Sequence, residues 1–233
     1  MDLVETTVVD TPHRGMPPCA GSGIRRALRA AERREAPFRH WLLTDVLPRV
    51  LCQPLLELPL TPPDVDDTQG KRETHNASRI FINEDAQRRY PVCAVLADAF
   101  QDEATVGLLR DVTGADLSGG FLRIEYCLDT EGFWLEPHTD IGAKLFTLLI
   151  YLSDHPDAAD WGTDLMDPAG NVLGRAPGDF DKGLMFIPGS DTWHGFTRRP
   201  IRGVRRSLIV NYVKPEWRSR HELAFPHQAV VAA

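Results

Sequence analysis

His138-Thr139-Asp140 sets an imidazole and a carboxylate two residues apart. On a β-strand, residues two apart point to the same side, so these two groups converge on one point. A third ligand has to come from another strand. His194, in the apolar and turn-flanked segment FIPGSDTWHGF, is the candidate. Two histidines and one carboxylate on one face of an ion leave the opposite face open, the ligand pattern of a non-haem Fe(II) centre. The tripeptide alone has little specificity: 8 histidines and 33 acids in 233 residues yield about one H-x-[DE] by chance. This chain has two, the second being His155-Pro156-Asp157. That one lies in the polar stretch DHPDAAD and reads as a solvated turn.

A cation near the ion would serve a carboxylate-bearing partner. Arg205 and Arg206 follow His194 by eleven and twelve residues and open an apolar run, Arg206–Val213. Arginine's planar fork suits a two-point hold on a carboxylate. Arg205 shares a strand face with Ser207, Ile209 and Asn211, and Arg206 with Leu208, Val210 and Tyr212. Periodicity does not choose between them.

The elements that must carry these groups follow from the texture of the chain. After Gly114, short β-rich runs alternate with turn residues: Phe121–Cys127, Phe133–His138, Lys144–Leu152, Thr163–Met166, Leu184–Ile187 and Arg206–Val213. Such spacing predicts a sandwich or barrel rather than βαβ units. Lys144–Leu152 is apolar on both faces and must be covered on both. The natural outer cover is a pair of helices, Pro91–Phe100 and Asp102–Val112, with Asp102 as N-cap and Gly114 as C-cap. Residues 1–36 read as a loosely ordered arm, with order from Pro37, a short strand to about Leu43, and a helix capped by Thr44 or Asp45. Residues 37–233 then form one domain, with 37–115 as helical and strand support and 116–233 as the β core. Leu58–Ser78 is a long polar loop, and loops of that length usually act as lids or binding segments.

Composition narrows the partners. The formal net charge is −7, which disfavours nucleic acid, and no apolar stretch approaches the roughly 18 residues of a membrane span. The four cysteines, Cys19, Cys52, Cys93 and Cys127, are widely separated and read as small buried hydrophobes. The opening MDLVETTVVD is acidic without an apolar core, so a reducing cytoplasmic setting is expected.

Taken in order, HTD, LFTLLIYLSD, WGTDL, GLMFIPGSDTWHG and RRSLIVNY resemble the 2-oxoglutarate/Fe(II)-dependent dioxygenases, in particular the prolyl-hydroxylase-like branch. The likeness covers roughly Phe121 to Val213. It implies a mainly β chain with flanking helices, folded as a double-stranded β-helix, a cupin-like jelly roll. It implies Fe(II) held by His138, Asp140 and His194. Arg206 would pair with the distal carboxylate of 2-oxoglutarate, because R-x-x-[IL]-x-x-[YW] runs from it to Tyr212. Tyr151 would support the same carboxylate, and Tyr126 would line the co-substrate pocket. The implied reaction consumes O2 and 2-oxoglutarate, hydroxylates an unactivated C–H and releases succinate and CO2. A carboxylate at Asp140 favours hydroxylation over halogenation.

The expected substrate is a small polar metabolite, amino-acid-like or a natural-product intermediate. Candidate contacts are Arg72, His75, Asn76 and Arg79 from the polar loop, with Trp134 and Trp193 near the ion. Two other readings stand beside it: a prolyl-type hydroxylase of protein side chains with the loop as a lid, and a cupin-like metal-binding protein without oxygenase activity. Alanine at His138, Asp140 or His194 should each remove most iron uptake and turnover, measured as bound iron and succinate. His155→Ala should leave both near wild type; loss of iron in that variant would move the ligand pair to the 155–157 turn.

Overall fold

The computed structural model describes residues 19–64, 66–71 and 79–231. The elements, in chain order, are α1 (Cys19–Arg29), β1 (Glu32–Arg34), β2 (His40–Thr44), α2 (Arg49–Leu56), β3 (Arg79–Phe81), α3 (Glu84–Arg89), α4 (Pro91–Gln101) and α5 (Glu103–Thr113). They continue with β4 (Phe121–Asp129), β5 (Leu135–His138), β6 (Lys144–Tyr151), β7 (Asp164–Met166), β8 (Val172–Arg175), β9 (Lys182–Phe186), β10 (His194–Phe196) and β11 (Arg205–Val213). The strands form two antiparallel sheets: seven strands ordered β1-β2-β9-β6-β11-β4-β3, and four ordered β5-β10-β7-β8.

Strand alternation decides what each side of the large sheet does. One side carries Leu122, Ile124, Tyr126 and Leu128 from β4, Phe146, Leu148 and Ile150 from β6, and Leu208, Val210 and Tyr212 from β11. This outer side packs on Ile24, Leu28, Leu96, Phe100, Val106 and Leu109 of the helices to make the main core. The Tyr212 hydroxyl ends this layer by donating to the Phe100 carbonyl at 2.5 Å. The inner side of the same strands faces the small sheet and is far more polar: Arg123, Glu125, Thr147, Arg205, Ser207 and Asn211 are all buried there.

Helix ends follow local chemistry. The Asp102 side chain accepts from the Thr105 amide at 3.1 Å, and Gly114 closes α5 at φ 80°, a left-handed value that glycine adopts without strain. Pro48 precedes the first turn of α2, so that helix starts at Arg49 and not at Thr44 or Asp45, and Pro54 lies inside it.

The loose arm predicted for residues 1–36 does not describe residues 19–36. Helix α1 fills much of that range, and Ala20, Ile24, Ala27 and Leu28 are buried on one stripe. The i, i+4, i+7, i+8 spacing is helical, but five arginines from position 25 to 34 dominate the local composition. Arg25 pairs with Asp102 at 2.7 Å, which ties α1 to the N-terminus of α5. No helix among the described residues is long and apolar enough to cross a membrane.

If α1 is part of the core, Leu28→Ala should cost about 2–5 kcal/mol, the range for truncating a fully buried leucine. Urea unfolding of the full chain measures it; a loss under about 0.5 kcal/mol, the usual surface value, would return α1 to the status of an arm.

Candidate functional site

His138 ends β5, His194 begins β10, and the two are registered directly opposite each other in the small sheet. Their rings lie 4.4 Å apart between centroids. Asp140 follows two residues after His138 on the crossing to β6. One ligand atom from each of His138, Asp140 and His194 falls within 4.8 Å of the others. His155, by contrast, stacks on Trp161 with centroids 5.0 Å apart and takes no part in the cluster.

The histidines are oriented from behind. His138 Nδ1 lies 2.8 Å from the Glu136 carbonyl, and His194 Nδ1 lies 2.9 Å from the Thr192 carbonyl. A carbonyl oxygen only accepts, so each Nδ1 carries the proton and each Nε2 keeps its lone pair for an ion. Burial, reinforced by the neighbouring His138, pushes the His194 imidazole down to about 4, so it is a neutral ligand at neutral pH. Burial acts to raise the Asp140 carboxyl, but Lys144, His194 and Thr147 overcome it and hold it well below the usual carboxylate range. Lys144 Nζ donates to Asp140 Oδ1 at 2.5 Å and Thr147 Oγ1 to Oδ2 at 2.6 Å.

What holds β10 in place is a buried carboxylate. Asp164 on β7 is fully buried and accepts from Arg175 Nε at 2.7 Å, Arg199 Nη1 at 2.7 Å, and both the amide and hydroxyl of Thr197 at 2.8 Å. Four donors satisfy a charge that would otherwise be costly to bury. They lash the strand after His194 to its neighbour.

A cavity of about 500 Å³ opens beside the triad, between the sheets. Arg205 and Ser207 line it, as do Thr163, Leu149 and Phe196. Arg205 donates from Nε to the Trp161 carbonyl at 2.6 Å and from Nη1 to Asp129, and Nη2 makes none of its described hydrogen bonds. Next to it, the Tyr151 hydroxyl donates to Thr163 Oγ1 at 2.8 Å. Burial raises the Tyr151 phenol, so it stays protonated. Ser207 Oγ is buried with no hydrogen-bond partner among the described residues.

The structure redistributes several sequence expectations. Arg206 lies on the outer side of β11 with Leu208, Val210 and Tyr212, away from the cavity, and its neighbour there is Tyr126. Tyr126 belongs to the helix-packed core, where burial pushes its phenol up to about 12. Neither reaches the cavity, and Arg205 takes the inner position instead. Tyr151 faces inward but does not line the cavity; Thr163, which its hydroxyl bonds, does. Arg79 lines the cavity, whereas Trp134 and Trp193 do not. Trp134 is occupied in anchoring the 66–71 segment: Nε1 donates to Asp67 Oδ1 at 2.6 Å and its amide to Thr68 Oγ1 at 2.9 Å. Arg72, His75 and Asn76 lie outside the described residues. The cavity adds Arg123, Glu125, Lys144 and Thr147, which the sequence reading did not single out. The signal was present in FLRIEYCLD, whose polar residues alternate with apolar ones along one strand.

No family model and no curated protein matches the chain. Solved structures do. A prolyl 4-hydroxylase from Phytophthora capsici superposes with TM-score 0.56 at 13% identity, over 86% of this chain and 70% of that one. A prolyl hydroxylase from Trichoplax adhaerens, in complex with a hypoxia-inducible-factor oxygen-degradation-domain peptide, gives 0.54 at 14% identity over 83% and 89%. A Pseudomonas putida prolyl-4-hydroxylase gives 0.52 at 13% identity over 87% and 99%. Two facing antiparallel sheets, with a His-Asp-His cluster at the end of the smaller one, give this chain the double-stranded β-helix fold of the 2-oxoglutarate/Fe(II) oxygenases.

Proposed function

We propose that this protein is a non-haem Fe(II)- and 2-oxoglutarate-dependent dioxygenase that hydroxylates a C–H bond of a small polar metabolite. The observation that carries the reading is the joint placement, on one cavity, of the His138-Asp140-His194 cluster and the inner-facing Arg205. The donor set of two imidazoles and one carboxylate fits a divalent iron with an open face. The residues also fit the co-substrate. Arg205 offers a charged donor edge, and the unpartnered Ser207 Oγ beside it is a buried polar atom that a carboxylate oxygen would satisfy. Arg205 and Ser207 would hold the distal carboxylate, with Tyr151 behind them fixing the cavity-lining Thr163, and His138, Asp140 and His194 would hold the iron.

Bound Fe(II), with 2-oxoglutarate and O2, supplies oxidation of an unactivated C–H with release of succinate and CO2. The chain's contribution is aim and dryness. Asp129 and the Trp161 carbonyl fix the Arg205 guanidinium, so little side-chain entropy is lost when a carboxylate arrives. Leu149, Ile209 and Phe196 surround the polar groups and keep water out. The substrate class rests on the charged part of the lining beside β11, where Arg79, Arg123, Glu125 and Glu222 meet the cavity. A wall of fixed charges suits a hydrogen-bonding ligand better than an apolar ring. Prolyl-type side-chain hydroxylation remains the second reading, because the Trichoplax adhaerens structure is bound to a peptide.

Fe(II)-loaded protein incubated with 2-oxoglutarate and either amino-acid and metabolite pools or prolyl peptides separates these readings by succinate release. Succinate with the small molecules supports the proposal, and succinate with peptides alone transfers it to the second reading. No 2-oxoglutarate-dependent O2 uptake with either would leave a cupin-like metal-binding protein.

Arg205→Lys keeps the charge and loses the fork. It should raise the KM for 2-oxoglutarate about tenfold or more, the equivalent of one charge-assisted hydrogen bond. Arg206→Ala should leave that KM within about twofold of wild type, as for a group on the far side of the sheet. The reverse pattern would return the co-substrate role to Arg206.

A further inference from the structure

Three strands of the large sheet carry a polar row where a β-sandwich interior is ordinarily apolar. Asn211 on β11 is registered opposite Arg123 of β4 on one side and Thr147 of β6 on the other. All three point inward, and all are buried. Their hydrogen bonds run in one direction. Arg123 Nη1 donates to Asn211 Oδ1 at 3.4 Å, Asn211 Nδ2 donates to Thr147 Oγ1 at 2.9 Å, and Thr147 Oγ1 donates to Asp140 Oδ2 at 2.6 Å.

The direction is fixed by chemistry. A guanidinium only donates, so Asn211 must turn its oxygen to Arg123. Asn211 Nδ2 also reaches the Phe146 carbonyl at 3.3 Å, an acceptor only, which sets the same amide orientation. With its lone pair taken by Asn211, the single Thr147 proton is left for Asp140. Arg123 is held in turn by Nε to Glu222 at 2.6 Å, by Nη1 to Glu125, and between the rings of Phe81 and Trp217 at 4.8 and 5.0 Å. Hydrogen bonds in such a series polarise one another.

We propose that Thr147, Asn211 and Arg123 are positioning residues that set the orientation of the Asp140 carboxylate from the charged wall of the cavity. The inference rests on the metal-centre reading above and deepens it. Lys144, on the other oxygen, supplies charge from a flexible stem; the row supplies direction from the rigid middle of a sheet. A carboxylate aimed in this way pays little to reorganise when an ion binds.

Co(II), bound anaerobically in place of iron, gives a test independent of turnover, with its visible bands reporting coordination geometry and titration giving Kd. Thr147→Val removes the hydroxyl at nearly constant shape and should weaken Co(II) binding about tenfold or more, the usual cost of losing an outer partner of a ligand, and shift the bands. Thr147→Ser keeps the hydroxyl and should restore both. Asn211→Leu should show part of the same loss. Melting of the metal-free variants identifies any that fail to fold. Thr147→Val with wild-type Kd and bands would overturn the inference, as would failure of Thr147→Ser to rescue. An Asn211→Leu variant indistinguishable from wild type would overturn the chain beyond Thr147. Wild-type protein that takes up no Co(II) would instead sink the metal centre itself.

Discussion

A β-strand turns successive side chains to opposite sides, and β11, in the interior of the seven-stranded sheet, uses that constraint to divide the molecule. Leu208, Val210 and Tyr212 go to the helices, and Arg205, Ser207, Ile209 and Asn211 go to the inner side, the first three lining the cavity. Its neighbours β4 and β6 obey the same division because the register is continuous over nine pairs with β4. A slip of one residue would send Arg205 into an apolar core and Leu208 into the site, so register here is enforced by both faces at once. The folding core and the functional surface are therefore two sides of one element.

The inner face buries charge, and charge in a low-dielectric interior is stabilised only when it is paired and hydrogen-bonded. Each buried group described here meets that condition. Arg205 has Asp129 and a carbonyl, Arg123 has Glu125 and Glu222, and Asp164 has two arginines and Thr197. Well-packed apolar residues would often stabilise the fold as much or more. Retaining ion pairs around a cavity is what a binding wall requires, since the same fixed donors and acceptors that satisfy each other also discriminate among ligands. Ser207 is one of five buried side chains with an unpartnered polar atom among the described residues, and it lies beside the arginine that lines the cavity.

Much of this was legible in the sequence, and where legibility failed the reasons are physical. The His138-Asp140-His194 cluster was readable from the H-x-D tripeptide and from a second histidine in a turn-flanked apolar segment, although Asp140 lies past the end of β5 and converges through the crossing, not through strand alternation. The strands β4 and β11, nine residues each, announce themselves by alternation, and β6, eight residues, by an apolar run on both faces. By contrast β8 and β10 have four and three residues, too few to show a period, yet β10 carries His194. Periodicity leaves Arg205 and Arg206 open, and the motif match falls on Arg206, which lies on the face away from the cavity. Only the register with Asp129 and Leu128 decides it. Tyr126 failed for the same reason, as it pairs with Leu208 on the apolar side. Helix α1 was hidden because arginines surround its narrow apolar stripe, and composition outweighed spacing.

The proposed metal site would also tie the two sheets to each other. His138 and His194 belong to the four-stranded sheet, while Thr147, Asn211 and Arg123 belong to the seven-stranded one. Asp140 lies on the crossing 139–143 between β5 and β6 and is gripped by Lys144 and Thr147 of the larger sheet. An ion held by all three ligands is thus a tie between sheets, and its binding free energy adds to the stability of the folded state alone. On the other side of the cavity, Arg205 repeats the arrangement without a metal, spanning from β11 to the Trp161 carbonyl that leads into β7. A bound dicarboxylate anchored at both places would close the gap between these ties. Arg79 and Glu125, which line the cavity from β3 and β4, would then remain to meet a substrate.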